Sequence, residues 1–338
     1  MDLQALNETA LMMVTPGKGL LAADESSPTI QKRLDAIGVP NTEPNRQAYR
    51  EMLFRAEGMS HISGVILYTE TLYQDAADGT PMVELIRRAG AIPGIKIDEG
   101  AKPMAGFPDE TLTEGLDGLG ERLAKAYARG ARFAKWRASL FFGEGRPSWG
   151  SIRSNAHLLA RYAAVCQSEN MVPMVEPELV MDGDHDIETC EAATRLTLRT
   201  VFEELAEQRV ALEGMILKPN MVLSGLECPR QASVEEVAQR TLATLKACAP
   251  AAVPGIAFLS GGQSDEDATA RLNAMHRLGP LPWGLTFSFS RALQNEAQGI
   301  WAGKPENVAA AQRAFTHRAR MNSLASLGQW ETSLEQAA

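Results

Sequence analysis

Eight short apolar runs recur along the chain, about 38 residues apart between Asp24 and Ser288, with longer amphipathic stretches between them. A strand plus its crossover helix takes roughly 30 residues or more, so this spacing is that of a βα repeat. The runs fall at 19–24, 64–70, 92–97, 131–137, 172–176, 214–218, 256–260 and 285–288. Periodicity alone does not separate buried strand from buried helix in runs this short. Their length, their β-branched residues and the Gly or Pro beside most of them favour strand. The stretches at 155–169, 186–208, 233–248 and 264–278 carry apolar residues at helical spacing and open on plausible N-caps, and 305–327 adds one more long helix.

The order is βαβα from end to end, which specifies a parallel α/β sheet. A chain of 338 residues has a soft prior of about two domains. No Gly/Ser/Pro-rich linker or composition shift divides it, however, and eight units suit a closed barrel better than a doubly wound sheet. The expected fold is one (β/α)8 TIM barrel domain over 1–338. The barrel would span about 19–302, with an extra N-terminal helix and a helical C-terminal extension at about 303–338.

Composition removes whole classes of function. Hydrophobic residues make up 45% and charged residues 22%, ordinary for a globular chain. No apolar run approaches the ~18 residues of a membrane span, and the opening Met1-Asp2-Leu3-Gln4 has neither a basic region nor an apolar signal core. A cytoplasmic enzyme without membrane partners is therefore expected. Lys and Arg total 33 against 42 Asp and Glu, a net charge of −9, which disfavours nucleic acid as a partner. Cys166, Cys190, Cys228 and Cys248 are scattered and read as reduced thiols, and the five histidines form no HExxH. Asp182-Gly183-Asp184-His185-Asp186 lacks the sixth-position Gly and twelfth-position Glu of a calcium loop. Pro16-Gly17-Lys18-Gly19 is not a phosphate-cradling Walker loop, and no GxGxxG opens a βα unit. No metal and no cofactor are expected.

The runs end in polar residues at one end only. Asp24, Lys96, Lys135, Glu176, Lys218 and Ser260 stand at or near their C-terminal limits, and in a barrel those limits meet at the mouth where sites are built. One lysine after a strand is ordinarily a solvated loop residue, but six polar groups from six strands are not. Lysines beside carboxylates in an apolar-walled pocket point to amine chemistry. Desolvation and neighbouring cations expose the free amine, which forms a Schiff base with a carbonyl, and a carboxylate shuttles the protons. Lys218 follows Met215-Ile216-Leu217 and stands in the driest surroundings, ahead of Lys135. A structural Lys135–Glu176 ion pair stays open as the plainer reading.

Ser260-Gly261-Gly262-Gln263 follows the seventh run, where two glycines let backbone N–H groups approach an anion. Ser290-Arg291 follows the eighth. Loops after the seventh and eighth strands bind phosphate in many barrels, so a phosphate-bearing ligand is expected there.

These residues in this order resemble the class I, Schiff-base-forming fructose-1,6-bisphosphate aldolase family. The resemblance rests on Leu21-Ala22-Ala23-Asp24-Glu25-Ser26, Gly64-Val65-Ile66-Leu67 with Glu70-Thr71-Leu72-Tyr73-Gln74, and Gly94-Ile95-Lys96. Phe133-Ala134-Lys135-Trp136-Arg137, Val175-Glu176-Pro177-Glu178, Leu217-Lys218-Pro219-Asn220-Met221 and Leu259-Ser260-Gly261-Gly262-Gln263 follow, as does the 182–186 segment; together they cover roughly 10–328. The resemblance implies that Lys218 forms the Schiff base, that Glu176 assists carbinolamine dehydration, and that Glu178 and Lys135 are supporting charges. It places Asp24 at the C4 hydroxyl beside the bond that breaks. Ser260, Gly261, Gly262 and Arg291 would hold the ketone-side phosphate, with Ser288 and Ser290 among the substrate-binding positions. Ser26, Lys96 and Arg137 would handle the distal phosphate or nearby hydroxyls. Reversible cleavage to dihydroxyacetone phosphate and glyceraldehyde 3-phosphate, without a metal and in a homotetramer, is the implied activity. The same residues would serve another phosphorylated ketose such as sedoheptulose 1,7-bisphosphate, a non-catalytic sugar-phosphate binder would keep only the fold, and a metal-dependent aldolase would need the histidine cluster this chain lacks.

The chain departs from the family in three places. Asp24-Glu25-Ser26-Ser27-Pro28 stands where the family reads Asp-Glu-Ser-Thr-Gly, and Phe287-Ser288-Phe289-Ser290-Arg291 where it reads Phe-Ser-Tyr-Gly-Arg. The proline removes a backbone donor, and loss of the glycine restricts close backbone approach unless the Ser290 hydroxyl substitutes. Animal members end in a tyrosine on a mobile tail, whereas this sequence ends Gln336-Ala337-Ala338, so another group or water is expected to carry that proton.

Overall fold

The structure is a computed structural model that describes residues 1–336; the last two positions of the expected tail, Ala337 and Ala338, lie outside the described residues. Ten strands are present among the described residues: β1 (Gly19–Ala23), β2 (Ile62–Leu67), β3 (Ile92–Lys96), β4 (Ala101–Pro103), β5 (Thr111–Thr113), β6 (Phe133–Phe141), β7 (Val172–Val180), β8 (Ile216–Leu217), β9 (Gly255–Phe258) and β10 (Gly284–Phe289). Eight of them pair in parallel around a closed barrel, in the order β1-β2-β3-β6-β7-β8-β9-β10 and back to β1. β4 and β5 form a separate antiparallel hairpin that the apolar runs do not reveal, because its strands are three residues long and of their residues only the polar Thr113 is buried.

Each of the eight runs became a barrel strand, with limits moved by neighbours. The second run stops at Leu67 rather than Glu70, since Thr69–Tyr73 turns directly into a helix. The fourth and fifth extend well past their expected ends, to Phe141 and Val180, because each hydrogen-bonds the other rung by rung. Hydroxyls of the hairpin add to this, Thr113 Oγ1 donating to the Arg137 carbonyl and Thr111 Oγ1 to that of Ser139. The sixth run shrinks to Ile216–Leu217, with Gly214 taken up by the 3-10 turn Leu212–Gly214.

The helices start where their caps dictate. Asp186, Ser233 and Ser264 each accept a backbone N–H of the first turn, opening Ile187–Glu207, Val234–Cys248 and Asp265–Arg277. The N-terminal helix Leu3–Met13, capped by Asp2, buries Leu6, Ala10 and Met13. They pack on Leu20, Ala22, Ile66, Phe133, Val172, Met174, Ile216 and Ala257, closing the floor of the barrel. Phe133 fits that floor because Gly94 faces it: a Cβ on Gly94 would come within 2.2 Å of the phenyl ring. At the other end of the chain the 3-10 turn Pro305–Asn307 leads into Val308–Ala325.

Candidate active site

Side chains alternate in and out along a strand, and the floor residues set which parity faces in. Leu20 and Ala22 lead by twos to Asp24, Phe133 to Lys135 and Arg137, Val172 and Met174 to Glu176 and Glu178, and Ile216 to Lys218. The site is therefore the upper layer of the barrel interior, and its charges stand on an apolar floor. A cavity of about 730 Å³ opens over that floor, lined by Asp24, Ser26, Lys96, Lys135, Arg137, Glu176, Glu178, Lys218, Ser260, Gly261, Ser288, Ser290 and Arg291. Gly262 faces a separate hollow behind the loop, beside Met181, Leu226 and Arg271.

The innermost charges form one chain of ion contacts. Lys135 Nζ lies 2.8 Å from Asp24 Oδ2 and 3.0 Å from Glu176 Oε2, and Lys218 Nζ lies 3.1 Å from Glu176 Oε1. All four side chains are buried. Burial pushes the Asp24 pKa up, but Lys135 and Lys218 outweigh it and hold the carboxyl well below the usual carboxylate range. Glu176 follows the same balance, burial raising its pKa and Lys135, Lys218 and Arg137 bringing it down below the ordinary value. For Lys135 burial acts downward and Asp24, Glu176 and Asp98 prevail, keeping it an ammonium. Lys135 is thus the fixed cation between two fixed anions. Lys218 touches the same Glu176 from the next strand and has one carboxylate to Lys135's two.

Farther out, Arg137 is held by Glu178, and Lys96 Nζ by Asp98 Oδ1 at 2.5 Å. On the opposite wall Gly261 and Gly262 both take left-handed backbone angles, φ 57° and 80°, which L side chains rarely adopt. The helix Arg291–Trp301 points its N-terminus into the cavity and has no side-chain cap, which leaves first-turn N–H groups open to an anion. The Ser288 hydroxyl, 1% exposed, has no hydrogen-bond partner among the described residues.

The family model for fructose-bisphosphate aldolase class-I matches residues 5–338. The chain belongs to the class-I fructose-bisphosphate aldolase family. A probable fructose-bisphosphate aldolase class 1 of Xanthomonas campestris is 55% identical over 333 residues, 98% of this chain and all of that one. The cytosolic fructose-bisphosphate aldolase 5 of Arabidopsis thaliana is 54% identical over 327 residues, covering 96% of this chain and 91% of the plant enzyme. A Plasmodium falciparum aldolase, solved in a ternary complex with TRAP and a small-molecule inhibitor, superposes with a TM-score of 0.96 at 48% identity, over 97% of this chain and 96% of that one.

The structure of this aldolase adds site residues that the apolar runs did not mark. Lys32 and Arg33 reach the cavity from the helix Ser27–Asp35, which begins directly after the first strand, and Glu25, Asn295 and Gln298 complete its rim. The Lys32-Arg33 doublet was the available signal; its value depended on knowing that this helix leans over the mouth. Pro28 sits in the first turn of that helix, where its missing N–H had no intrahelical partner to lose. Phe289 is fully buried, its ring tilted against Phe287 at 5.6 Å between centroids, away from the charges. Ser290 has φ −109°, so its backbone needs no glycine. In the 182–186 segment Asp186 caps a helix through Thr189 and His185 stacks on Phe142 at 3.6 Å. Among the described residues no group of three or more His, Cys, Asp or Glu could hold a metal ion, and no helix is long and apolar enough to cross a membrane.

Proposed function

We propose that Lys218 forms the Schiff base and that Glu176 moves the protons around it. The observation that carries this reading is the placement of Glu176, whose two oxygens lie 3.1 Å from Lys218 Nζ and 3.0 Å from Lys135 Nζ. Lys218 attacks the C2 ketone of fructose 1,6-bisphosphate, and Glu176 takes the proton that the amine loses. Glu176 returns that proton to the C2 oxygen, which becomes the carbinolamine hydroxyl. A second proton, drawn from water and passed on by the same carboxyl, lets that hydroxyl leave as water, giving the protonated imine. Asp24, held ionised by Lys135, takes the proton of the C4 hydroxyl. The C3–C4 bond breaks, glyceraldehyde 3-phosphate leaves, and the bond's electron pair flows into the imine to give an enamine. Asp24 gives up the proton it took, directly or through water, as C3 of the enamine is protonated, and hydrolysis by water then releases dihydroxyacetone phosphate and regenerates the amine.

The protonated imine is the electron sink, the role a Lewis-acid metal plays in other carbonyl chemistry, so activity is expected to survive EDTA. The open N-terminus of Arg291–Trp301, the Ser260–Gly261 turn and the unpartnered Ser288 hydroxyl support a phosphate on that wall. Lys96 and Arg137, across the cavity, support the second phosphate. The cytosolic naming of the Arabidopsis relatives favours a cytoplasmic setting, and a homotetramer is the expected assembly, to be checked by light scattering.

The test is chemical. Incubation with dihydroxyacetone phosphate followed by borohydride should fix the substrate carbon on Lys218, read by peptide mass spectrometry. An active protein with Lys218 unmodified defeats this reading. Comparing kcat/KM for fructose and sedoheptulose bisphosphates fixes the preferred ketose.

A further inference from the structure

Ser290 occupies the N-cap of the helix Arg291–Trp301, a position where a serine hydroxyl ordinarily accepts a first-turn N–H. Here it caps nothing. Its Oγ accepts Arg33 Nη2 at 2.9 Å and Gln294 Nε2 at 3.3 Å, and stands 3.4 Å from Glu25 Oε1. Arg33 Nη1 in turn holds the same Glu25 oxygen at 2.5 Å, while the second Glu25 oxygen takes Arg50 Nη2 at 3.1 Å. Glu25 thus answers two cations with one charge, and the group keeps a net positive charge on the cavity wall. A guanidinium has five N–H donors, and Arg33 uses one from each terminal nitrogen on these two partners. The others have no acceptor among the described residues, in a half-buried side chain that lines the cavity beside Arg291.

We infer that Ser290 is a positioning residue: its hydroxyl fixes the Arg33 guanidinium so that the unused donors face the phosphate bound at the N-terminus of Arg291–Trp301. This corrects the expectation that the hydroxyl substitutes for glycine by binding phosphate itself, since its lone pairs are already taken. It rests on the phosphate reading given above. The residue that stands where the family carries glycine has become a brace for a cation contributed by another element.

The experiment is a double-mutant cycle on the full-length enzyme, with Ser290→Ala, Arg33→Ala and the double variant. Readouts are KM for fructose 1,6-bisphosphate, the inhibition constant of inorganic phosphate, kcat and thermal stability. Loss of one neutral brace to a charged donor should raise KM and the phosphate inhibition constant about two- to tenfold with kcat within twofold, and the double variant should be no worse than Arg33→Ala alone. Ser290→Thr, which keeps the hydroxyl, should restore the wild-type KM. Additive effects, or a loss in kcat with KM unchanged, overturn the inference. If Ser290→Ala fails to fold, Ser290→Gly, the family's own residue here, supplies the hydroxyl-free variant under the same criteria. Borohydride fixation on Lys218 in every variant separates the two readings: its loss from the wild type would count against the proposed chemistry, whereas an additive cycle with fixation intact would count against Ser290 alone.

Discussion

Glu176 and Lys218 occupy the rung that follows the Val175–Leu217 pair of the β7–β8 ladder, and their charged ends meet at 3.1 Å. The Lys218 N–H donates to the Val175 carbonyl at 2.8 Å, so the lysine leaves its short strand already aligned with the carboxylate. This pairing makes Lys218 and Glu176 parts of one ladder, so the proton transfer proposed between them runs between groups already in contact.

Glu176→Gln should therefore lower kcat by about 10²- to 10⁴-fold, the range for losing a general acid–base, while borohydride fixation on Lys218 still occurs on long incubation. Lys218→Met should remove fixation altogether and lower kcat/KM by at least about 10³-fold, because the covalent route is closed. Steady-state kinetics with mass spectrometry distinguishes these patterns. Equal loss of fixation in both variants would mean that Glu176 is needed for the attack itself.

The pH dependence of stability follows from the signs of the shifts. Asp24 and Glu176 have folded values below their unfolded ones. Their contribution is full above the unfolded carboxylate range, about 4, and is lost as pH falls through the depressed folded values. Lys135 is raised, so its contribution is full below about 10.4 and is lost as pH rises through the folded value. The melting temperature should fall more steeply below about pH 4 in the wild type than in Asp24→Asn. Parallel curves would show that the pair adds no net stability.

Arg50 is 1% exposed and shares itself between Glu25 and Thr71 Oγ1, the latter at 2.6 Å. Replacing it by methionine leaves Glu25 with one cation instead of two in a buried setting. The expected loss is about 3 kcal/mol in urea unfolding, as for breaking a buried ion pair, with the slope on denaturant unchanged. A loss under about 1 kcal/mol would show that Arg33 alone satisfies the carboxylate.

Gly94→Ala tests the barrel floor. The new methyl would meet the Phe133 ring at 2.2 Å, and an overpacked core loses about 1–3 kcal/mol. Pairing it with Phe133→Leu should recover part of that loss, since the clash is with the far side of the phenyl ring. No recovery would place the strain in the β3 backbone instead.

Much of this was legible in the sequence because it is local. Apolar runs, their spacing and the caps at Asp186, Ser233 and Ser264 are properties of neighbouring residues, so the eight strands and the three helices those caps open could be read directly, whereas the helix expected from 155 begins earlier, at Trp149 behind a Ser148 cap. The polar residue at the end of each run was equally visible, and with it Asp24, Lys135, Glu176 and Lys218. The hairpin β4–β5 was not legible, being too short and exposed to carry periodicity. Neither was the extension of β6 and β7 to Phe141 and Val180, where each strand is stabilised by the other.

The sequence by itself determined which residues carry charge and which end of each strand they occupy, because both follow from the order of side chains. Only the tertiary structure decided which of those charges meet. Barrel closure sets a common inward parity and register, and on that register Glu176 falls between Lys218 and Lys135 while Lys135 also reaches Asp24. The same closure brings Arg33 from one helix to Ser290 at the start of another, a contact between residues distant in the chain that no local pattern encodes.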